Sequence, residues 1–304
     1  MIISIADIAF PLKSLPTPCG SISVFLSAYL AGPALGAETL ARIAALNNYA
    51  LPLVVGTPRL GPCISGVGKF IAISLNFRDH AAEVEPDVPQ EAVILLKATS
   101  SISGPNDDVV IPRGSSKLDW EVEFGVVIGK GGVYIEEADA LDHVAGYCIV
   151  NDVSARDFQM ERGGTWDKGK GCDTFGPLGP WLVTKDEAGD VGNLRMWLEV
   201  DGKRYQDGST RTMIFGIAKI VSYVSGFMSL QPGDVITTGT PPGNGLAQMP
   251  PVFLQPGNVM RLSVEGLGEH QQTVVAYGSS VVTGPPTSQP SHLDLTADRT
   301  VVEQ

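Results

Sequence analysis

Residues 120–129, WEVEFGVVIG, combine the pattern of a β-strand with two carboxylates. Apolar side chains alternate along the run, which is typical of a strand. The side chains of Glu121 and Glu123 leave the same face of such a strand. Paired acids most often lie on a solvated face, but residues 124–128 carry no polar side chain. The stretch therefore predicts a buried strand whose like charges need a counter-ion.

Further strand and helix signals surround this stretch. Residues 70–73, FIAI, predict a buried strand, and 121–134 predict a strand, a glycine turn and a second strand. Residues 194–200 alternate before Asp201-Gly202, a strong hairpin signal. Between 213 and 227 apolar side chains recur every three or four positions, which predicts an amphipathic helix. Together these elements predict a β-rich α+β fold.

Length and composition indicate how the chain is divided. It has 304 residues, 43% hydrophobic, with 35 glycines and 22 prolines, which suits either one large, turn-rich domain or one domain with a small appendage. We expect a small N-terminal domain and linker at 1–68 and the main domain at 69–277. Residues 278–304 are polar and rich in proline, so they predict a flexible C-terminal tail.

Charge and cysteine content exclude several classes of protein. The formal net charge of −12 repels nucleic acid at long range. The four cysteines form no C-x-x-C pair, so they predict neither a disulfide framework nor a zinc site and favour a reducing compartment. The sequence shows no basic start of a secretory signal and no apolar run of membrane-spanning length. We expect a cytoplasmic protein without nucleic-acid or membrane partners.

Asp152 is a third acidic candidate. It follows the apolar run 146–150, GYCIV, at the end of a predicted strand. A helix N-cap before residues 153–156 explains an aspartate there equally well. If Asp152 instead joins Glu121 and Glu123, three carboxylates without histidine or cysteine suit a hard ion, namely Mg²⁺ or Mn²⁺, with Ca²⁺ as a further option.

Four segments resemble the fumarylacetoacetate hydrolase family in the same order. They are WEVEFGVVIG at 120–129, NDVSARDFQ at 151–159, KGCDTFGPLGP at 170–180, and GDVI followed by TGTP within 233–241. The resemblance covers about residues 69–277. It implies a catalytic domain there with a mixed β-roll or barrel-like core flanked by helices, and a homodimer. Residues 166–180 look closest to bacterial diketo-deoxy sugar-acid hydrolases or ureidoglycolate lyases.

The resemblance also implies a role for each candidate site residue. The metal ligands are Glu121, Glu123 and Asp152. The catalytic residues are His80, Glu83 and Lys170, and the substrate-binding residues are Asn76, Phe77, Arg156, Gln159 and Thr240. In hydrolytic members the histidine–glutamate dyad activates water and lies on a mobile lid.

The residues alone leave alternatives for several of these roles. His80 and Glu83 also have the spacing of an exposed helical pair. Arg156 suits the first turn of a surface helix, paired with a neighbouring acid. Lys168 competes with Lys170 for the site, and we assign Lys168 to the surface.

Two segments depart from the family pattern. Residues 74–77 are SLNF, where many members have glycine and tyrosine around the asparagine, and 243–245 are Gly-Asn-Gly in place of Gly-Val-Gly. Both segments are expected near the substrate, so an altered substrate stays open.

The favoured hypothesis is hydrolysis of a C–C bond in a 2,4-dioxo acid through a metal-stabilised enolate. The substrate would be an acylpyruvate or a diketo-deoxy sugar acid. The same metal site would serve an oxaloacetate decarboxylase, a dehydratase, or an isomerase or lyase acting on an oxo acid. A catalytically silent binding protein is the third hypothesis. The fold alone does not choose among these.

Overall fold

The computed structural model describes residues 2–3, 35–45, 58–80 and 89–279. Glu83, most of 1–68 and residues 280–304 lie outside this part. The described strands are β1 Ile2–Ile3, β2 Phe70–Ser74, β3 Val93–Lys97, β4 Ile102–Ser103, β5 Val109–Val110, β6 Leu118–Asp119, β7 Val122–Ile128, β8 Val144–Asn151, β9 Ser154–Ala155, β10 Gly176–Thr184, β11 Arg195–Val200, β12 Lys203–Ser209, β13 Val235–Thr237, β14 Val259–Val264 and β15 Gly268–Val275. The described α-helices are α1 Ala37–Ala44, α2 Arg156–Glu161, α3 Asp167–Lys170, α4 Lys185–Ala188 and α5 Ile217–Ser225.

The strands form a large mixed sheet and two smaller sheets. The large sheet has the order β1-β10-β8-β7-β13-β2-β3, with β4 paired to β10. Most neighbours in it are antiparallel, but β13 pairs with β2 and β4 with β10 in parallel. The second sheet has the order β12-β11-β14-β15-β5, and β6 pairs with β9 in a short third sheet. The predicted β-rich α+β architecture is confirmed.

Strands β7 and β8 lie at the centre of the large sheet and are buried along their whole length. Alternate side chains of β7 enter different cores: Phe124 and Val126 pack in the larger hydrophobic cluster, and Val127 packs in the smaller one. Both faces of β7 are covered, which explains why residues 124–128 are apolar and no side faces solvent. Glu121 and Glu123, at the start of this run, therefore lie at the edge of the hydrophobic core.

The hairpin prediction at Asp201-Gly202 is confirmed. Both residues have positive φ, 51° and 77°, as a type I′ turn requires, and they join β11 to β12. The predicted second strand before Tyr134 is wrong. Gly132 makes an isolated bridge to Leu230 instead of folding back along β7, and a 3₁₀ segment, Glu137–His143, follows.

The predicted amphipathic helix is confirmed as α5, but it begins later than residue 213. The backbone N–H groups of Ile214 and Phe215 donate to the main-chain and side-chain oxygens of Asn76. These bonds hold the segment extended until Gly216, which is the N-cap. Within the described ranges, no helix has both the length and the apolar character needed to cross a bilayer.

His270 on β15 is fully buried, and burial lowers its pKa to about 4 from an ordinary value of 6.5. The folded protein therefore keeps this imidazole neutral, whereas the unfolded chain binds a proton below about pH 6.5. Because the pKa of His270 is lower in the folded state, the free energy of unfolding decreases as the pH falls from about 6.5 to about 4. At the acid end of this range it has fallen by about 3 kcal/mol.

We expect His270→Gln to reduce the pH dependence of the free energy of unfolding between pH 6.5 and 4, because glutamine does not titrate. Urea unfolding at several pH values measures this. His143→Gln is the matched control and should keep the acid-dependent loss. An unchanged pH slope in His270→Gln would contradict the assignment.

Candidate active site

Pairing of β7 with β8 brings the three candidate metal ligands together. Val122 lies opposite Asn151 in the antiparallel ladder, and the N–H of Asp152 donates to the carbonyl of Glu121 at 2.9 Å. Glu121 and Glu123 flank Val122, so all three acids meet where β7 begins and β8 ends. Residues two apart on one strand share a face, as do residues directly opposite each other on paired strands, which explains the convergence.

One carboxylate oxygen from each of Glu121, Glu123 and Asp152 lies within 4.8 Å of the others, and all three residues are buried. An all-oxygen donor set of this kind fits a hard divalent cation. The N-cap hypothesis for Asp152 is wrong. Strand β9 begins two residues after it, and α2 begins at Arg156 with Ala155 as its N-cap.

Lys170, at the end of α3, bridges two of the three acids. Its Nζ donates to Oε2 of Glu121 at 2.6 Å and to Oδ2 of Asp152 at 2.8 Å. Burial alone would lower the pKa of Lys170, but the charges of Asp152 and Glu121 outweigh it and raise the pKa. Lys168 is exposed and donates to the carbonyl of Arg162, so only Lys170 of the two competing lysines reaches the acids.

Lys97, at the end of β3, is a second lysine in the cluster, and the sequence analysis missed it. Its Nζ donates to Oδ1 of Asp152 at 2.6 Å and to the carbonyl of Lys170. Burial lowers the pKa of Lys97 despite the neighbouring Asp152. The signal available in the sequence is a lysine that closes the apolar run VILLK, since a lysine is rarely buried unless it is paired with an acid.

Arg156 is buried at the start of α2, so the surface-helix hypothesis is wrong. Its guanidinium donates through Nε to Asp119, through one terminal nitrogen to Oε1 of Gln159, and through the other to Oε1 of Glu121. Asp119 and Glu121 raise the pKa of Arg156 against the effect of burial. The arginine therefore holds Glu121 and Gln159 in fixed positions.

Asp119 links this arginine to the late loop and was also missed by the sequence analysis. Its Oδ1 accepts from the N–H of Gly245 and its Oδ2 from the N–H of Leu246. A Cβ at Gly245 would lie 2.0 Å from the carbonyl oxygen of Val252, so only glycine fits. One carboxylate thus anchors both Arg156 and the loop that departs from the family pattern.

The two glutamates differ in their electrostatic environment. Burial opposes ionisation of Glu121, but Lys170 and Arg156 lower its pKa to about 2. Burial and the charges of Asp152 and Glu121 raise the pKa of Glu123 well above its usual range. Glu123 accepts a hydrogen bond from the N–H of Gly239. The described cations lie farther from Glu123 than Lys170 and Arg156 lie from Glu121. The position of Glu123 is where added positive charge would stabilise the cluster most.

Thr240 lines the cavity beside the acids, but its hydroxyl is engaged within the protein. Oγ1 donates to the carbonyl of Val122 and accepts from Nε2 of Gln206. These bonds connect the late loop to β7 and β12. A contact between Thr240 and the substrate stays a prediction.

Asn76 and Phe77 are fully buried and are not among the residues that line the two cavities at the acids. The amide of Asn76 donates to the carbonyls of Phe215 and Thr238. Ser74 and Leu75 form the wall instead, and Leu75 has a φ of 54°, a left-handed conformation that is uncommon for a bulky residue. Substrate contacts of Asn76 and Phe77 stay predictions.

His80 lines both cavities and is 6% exposed. It lines the small cavity together with the acids contributed by β7 and β8. Its predicted partner Glu83 lies outside the described residues. The histidine and the carboxylates thus face one space, as general acid–base chemistry on a bound substrate requires.

The connected cluster holds more negative than positive charge. Its buried acids are Asp119, Glu121, Glu123 and Asp152, and its buried cations are Lys97, Arg156 and Lys170. With every group ionised, the cluster carries one negative charge. A divalent ion would make it positive by one charge, which suits a small organic anion.

Comparison with known proteins agrees with this architecture. Residues 69–275 match the model of the fumarylacetoacetate hydrolase C-terminal domain. A Burkholderia multivorans protein, whose name proposes a hydrolase activity and states no substrate, is 61% identical over 244 residues, covering 80% of this chain and 86% of the relative.

Two solved structures are also similar. A fumarylacetoacetate hydrolase from Exiguobacterium antarcticum is 38% identical with a TM-score of 0.71, covering 76% of this chain and 83% of its own. A 2-hydroxyhepta-2,4-diene-1,7-dioate isomerase from Mycobacterium marinum is 34% identical with a TM-score of 0.64, covering 77% and 86%. These similarities support a hydrolase or isomerase acting on an oxo acid. The chain belongs to the fumarylacetoacetate hydrolase family.

Proposed function

We propose that this chain hydrolyses the bond between C3 and C4 of a 2,4-dioxo acid, an acylpyruvate or a diketo-deoxy sugar acid, with a divalent metal as cofactor. The observation that carries the proposal is the convergence of Glu121, Glu123 and Asp152 in one buried cavity. Membership of a family that contains hydrolases supports the reaction class.

Glu121, Glu123 and Asp152 would hold Mg²⁺ or Mn²⁺, with Ca²⁺ as a weaker candidate, because every donor is a carboxylate oxygen. When bound, the ion supplies a fixed positive charge that attracts the substrate oxygens and polarises them. Lys97 and Arg156 orient Asp152 and Glu121 through their hydrogen bonds. Such partners of a ligand commonly change metal affinity by about 10–100-fold.

Lys170 is the residue best placed to respond to charge on the substrate. Its raised pKa keeps it protonated at neutral pH, and its Nζ lies between Glu121 and Asp152. In the proposed reaction it stabilises the negative charge that develops on the departing pyruvate unit and donates toward it. A pre-placed charge is effective because its reorganisation cost is already met by folding.

His80 would take a proton from water as that water attacks the carbonyl at C4. The C3–C4 bond then breaks, its electron pair stays with C3, and protonation of C3 gives pyruvate while the acyl half leaves as a carboxylic acid. In this proposal Glu83 orients the imidazole. We further propose a cytoplasmic homodimer, because the family resemblance implies a dimer and the described cysteines are free thiols, as a reducing compartment would keep them.

A second candidate reaction uses the same metal site but does not use water to cleave a bond. Isomerisation of an oxo acid is favoured by the similarity to the isomerase from Mycobacterium marinum. Decarboxylation of oxaloacetate belongs to the same group, since neither reaction needs an attacking water.

We expect Glu123→Gln to weaken Mn²⁺ binding by more than about 100-fold and to abolish metal-dependent turnover, because an amide replaces one anionic ligand of nearly the same size. Isothermal titration with Mn²⁺ and acetylpyruvate hydrolysis measure the two effects. The exposed Glu137 provides the control Glu137→Gln, which should bind and react as the parent does. Parental activity in Glu123→Gln would rule out the proposed metal site.

We expect His80→Ala to lower kcat for acetylpyruvate hydrolysis by about 10²–10⁴-fold, the usual contribution of a general base. Mn²⁺ affinity should not change, because His80 is not a proposed ligand. His143→Ala is the control and should retain turnover. If the parent instead turns over oxaloacetate faster than any acylpyruvate, and His80→Ala retains that activity, the second candidate replaces the first.

A further inference from the structure

The small cavity that contains the three acids, about 20 Å³ in volume, adjoins a larger cavity of about 320 Å³. The two share Ser74, Leu75, His80, Glu121 and Lys170 in their walls. A substrate bound at the acids would therefore extend toward the larger cavity. We call this larger space the acyl pocket, because under the proposed function it receives the acyl half of the substrate.

The acyl pocket changes in character from its inner to its outer end. Arg156 and Gln159 mark the inner end, since Arg156 contacts Glu121. The remaining lining residues are Met160, Trp166, Asn244, Leu246, Ala247 and Met249. Met160 follows Arg156 by one turn of α2 and is 61% exposed, and Met249 is 96% exposed, so these methionines lie at the mouth. Asn244 is polar and neutral, and the other five are apolar.

The basic side chains that line the described part of the pocket are His80, Arg156 and Lys170. All three lie toward the acids. Arg156 donates to Asp119, Gln159 and Glu121, and Lys170 donates to Glu121 and Asp152. These cations are committed to the cluster, so a carboxylate at the outer end would meet no described cationic partner there.

The chain as a whole carries a net charge of −12. A second carboxylate entering the acyl pocket would therefore lose hydration without an ionic partner and would be repelled at long range.

We propose that the substrate is a 2,4-dioxo monocarboxylate whose acyl end is uncharged, and that the acyl pocket discriminates against dioates. The inference rests on the proposed function in one respect, which is that the oxo-acid end lies at the three acids. Leu246 and Met160 are the specificity-determining residues, because each presents an apolar side chain where a dioate would place its second carboxylate. Asn244 offers a neutral polar group for an acyl end that carries a hydroxyl.

The direct test compares two substrates that differ only at the far end. Isocaproylpyruvate ends in an isopropyl group, and succinylpyruvate ends in a carboxylate of similar shape. With Mg²⁺ present, we expect kcat/KM to be at least about tenfold higher for isocaproylpyruvate, because the pocket gives the carboxylate no partner. Equal rates, or a preference for succinylpyruvate, would overturn the inference.

A binding measurement separates failure of this inference from failure of the proposed function. 2-Oxopimelate and its isostere with an isopropyl group in place of the distal carboxylate lack the 4-carbonyl, so neither can be hydrolysed at C4. We expect the isopropyl compound to bind the Mg²⁺-loaded protein about tenfold more tightly by isothermal titration. That preference without any acylpyruvate hydrolysis would reject the proposed function and support the pocket assignment, whereas equal or tighter binding of 2-oxopimelate would reject the assignment.

Leu246→Arg tests the residue assignment, because an arginine pairs well with a carboxylate. The backbone N–H of Leu246, which holds the loop to Asp119, is retained. We expect the preference to shift about tenfold toward the dioate in this variant, and in Met160→Arg if the first variant folds poorly by thermal unfolding. Leu141→Arg, at an exposed leucine outside the pocket, should leave the preference unchanged. A dioate preference that is unaltered in both folded pocket variants would overturn the assignment of these residues.

Discussion

Three carboxylates buried within 4.8 Å of one another are the constraint on which the rest of the site depends. Like charges in a dry environment are costly unless cations and hydrogen bonds oppose them. The protein meets this cost with Lys97, Lys170 and Arg156, each of which donates to one or two of the acids. Glu123 is the member left with the least positive charge nearby, and this makes the cluster suited to a further cation.

The fold provides the rigidity that such a cluster requires. Strands β7 and β8 are buried on both faces, so their side chains have little freedom to move apart and release the strain of like charges. Asp119 extends the same network to the late loop through Gly245 and Leu246. The acidic cluster and the wall of the acyl pocket are thus two parts of one hydrogen-bonded unit, and altering Asp119 would disturb both.

The sequence predicted the elements whose signals are local. The apolar run with two acids predicted β7, and the alternation before Asp201-Gly202 predicted the hairpin. Lys97 and Asp119 were missed because their roles arise from tertiary pairing: β3 must pair with β2 before Lys97 reaches Asp152. The structure adds a role for Asn76 that the sequence did not show, since its amide holds the backbone ahead of α5. Local pattern therefore identified the three acids, but not the residues that orient them.

The central claim is that the three carboxylates share one divalent cation. Diffraction from crystals grown with Mn²⁺, recorded near the manganese absorption edge, tests it most directly. We predict one anomalous peak per chain within bonding distance of oxygens from Glu121, Glu123 and Asp152. A map without a peak at the cluster, in Mn²⁺-saturated crystals that retain the arrangement of Lys170 between Glu121 and Asp152, would contradict the claim.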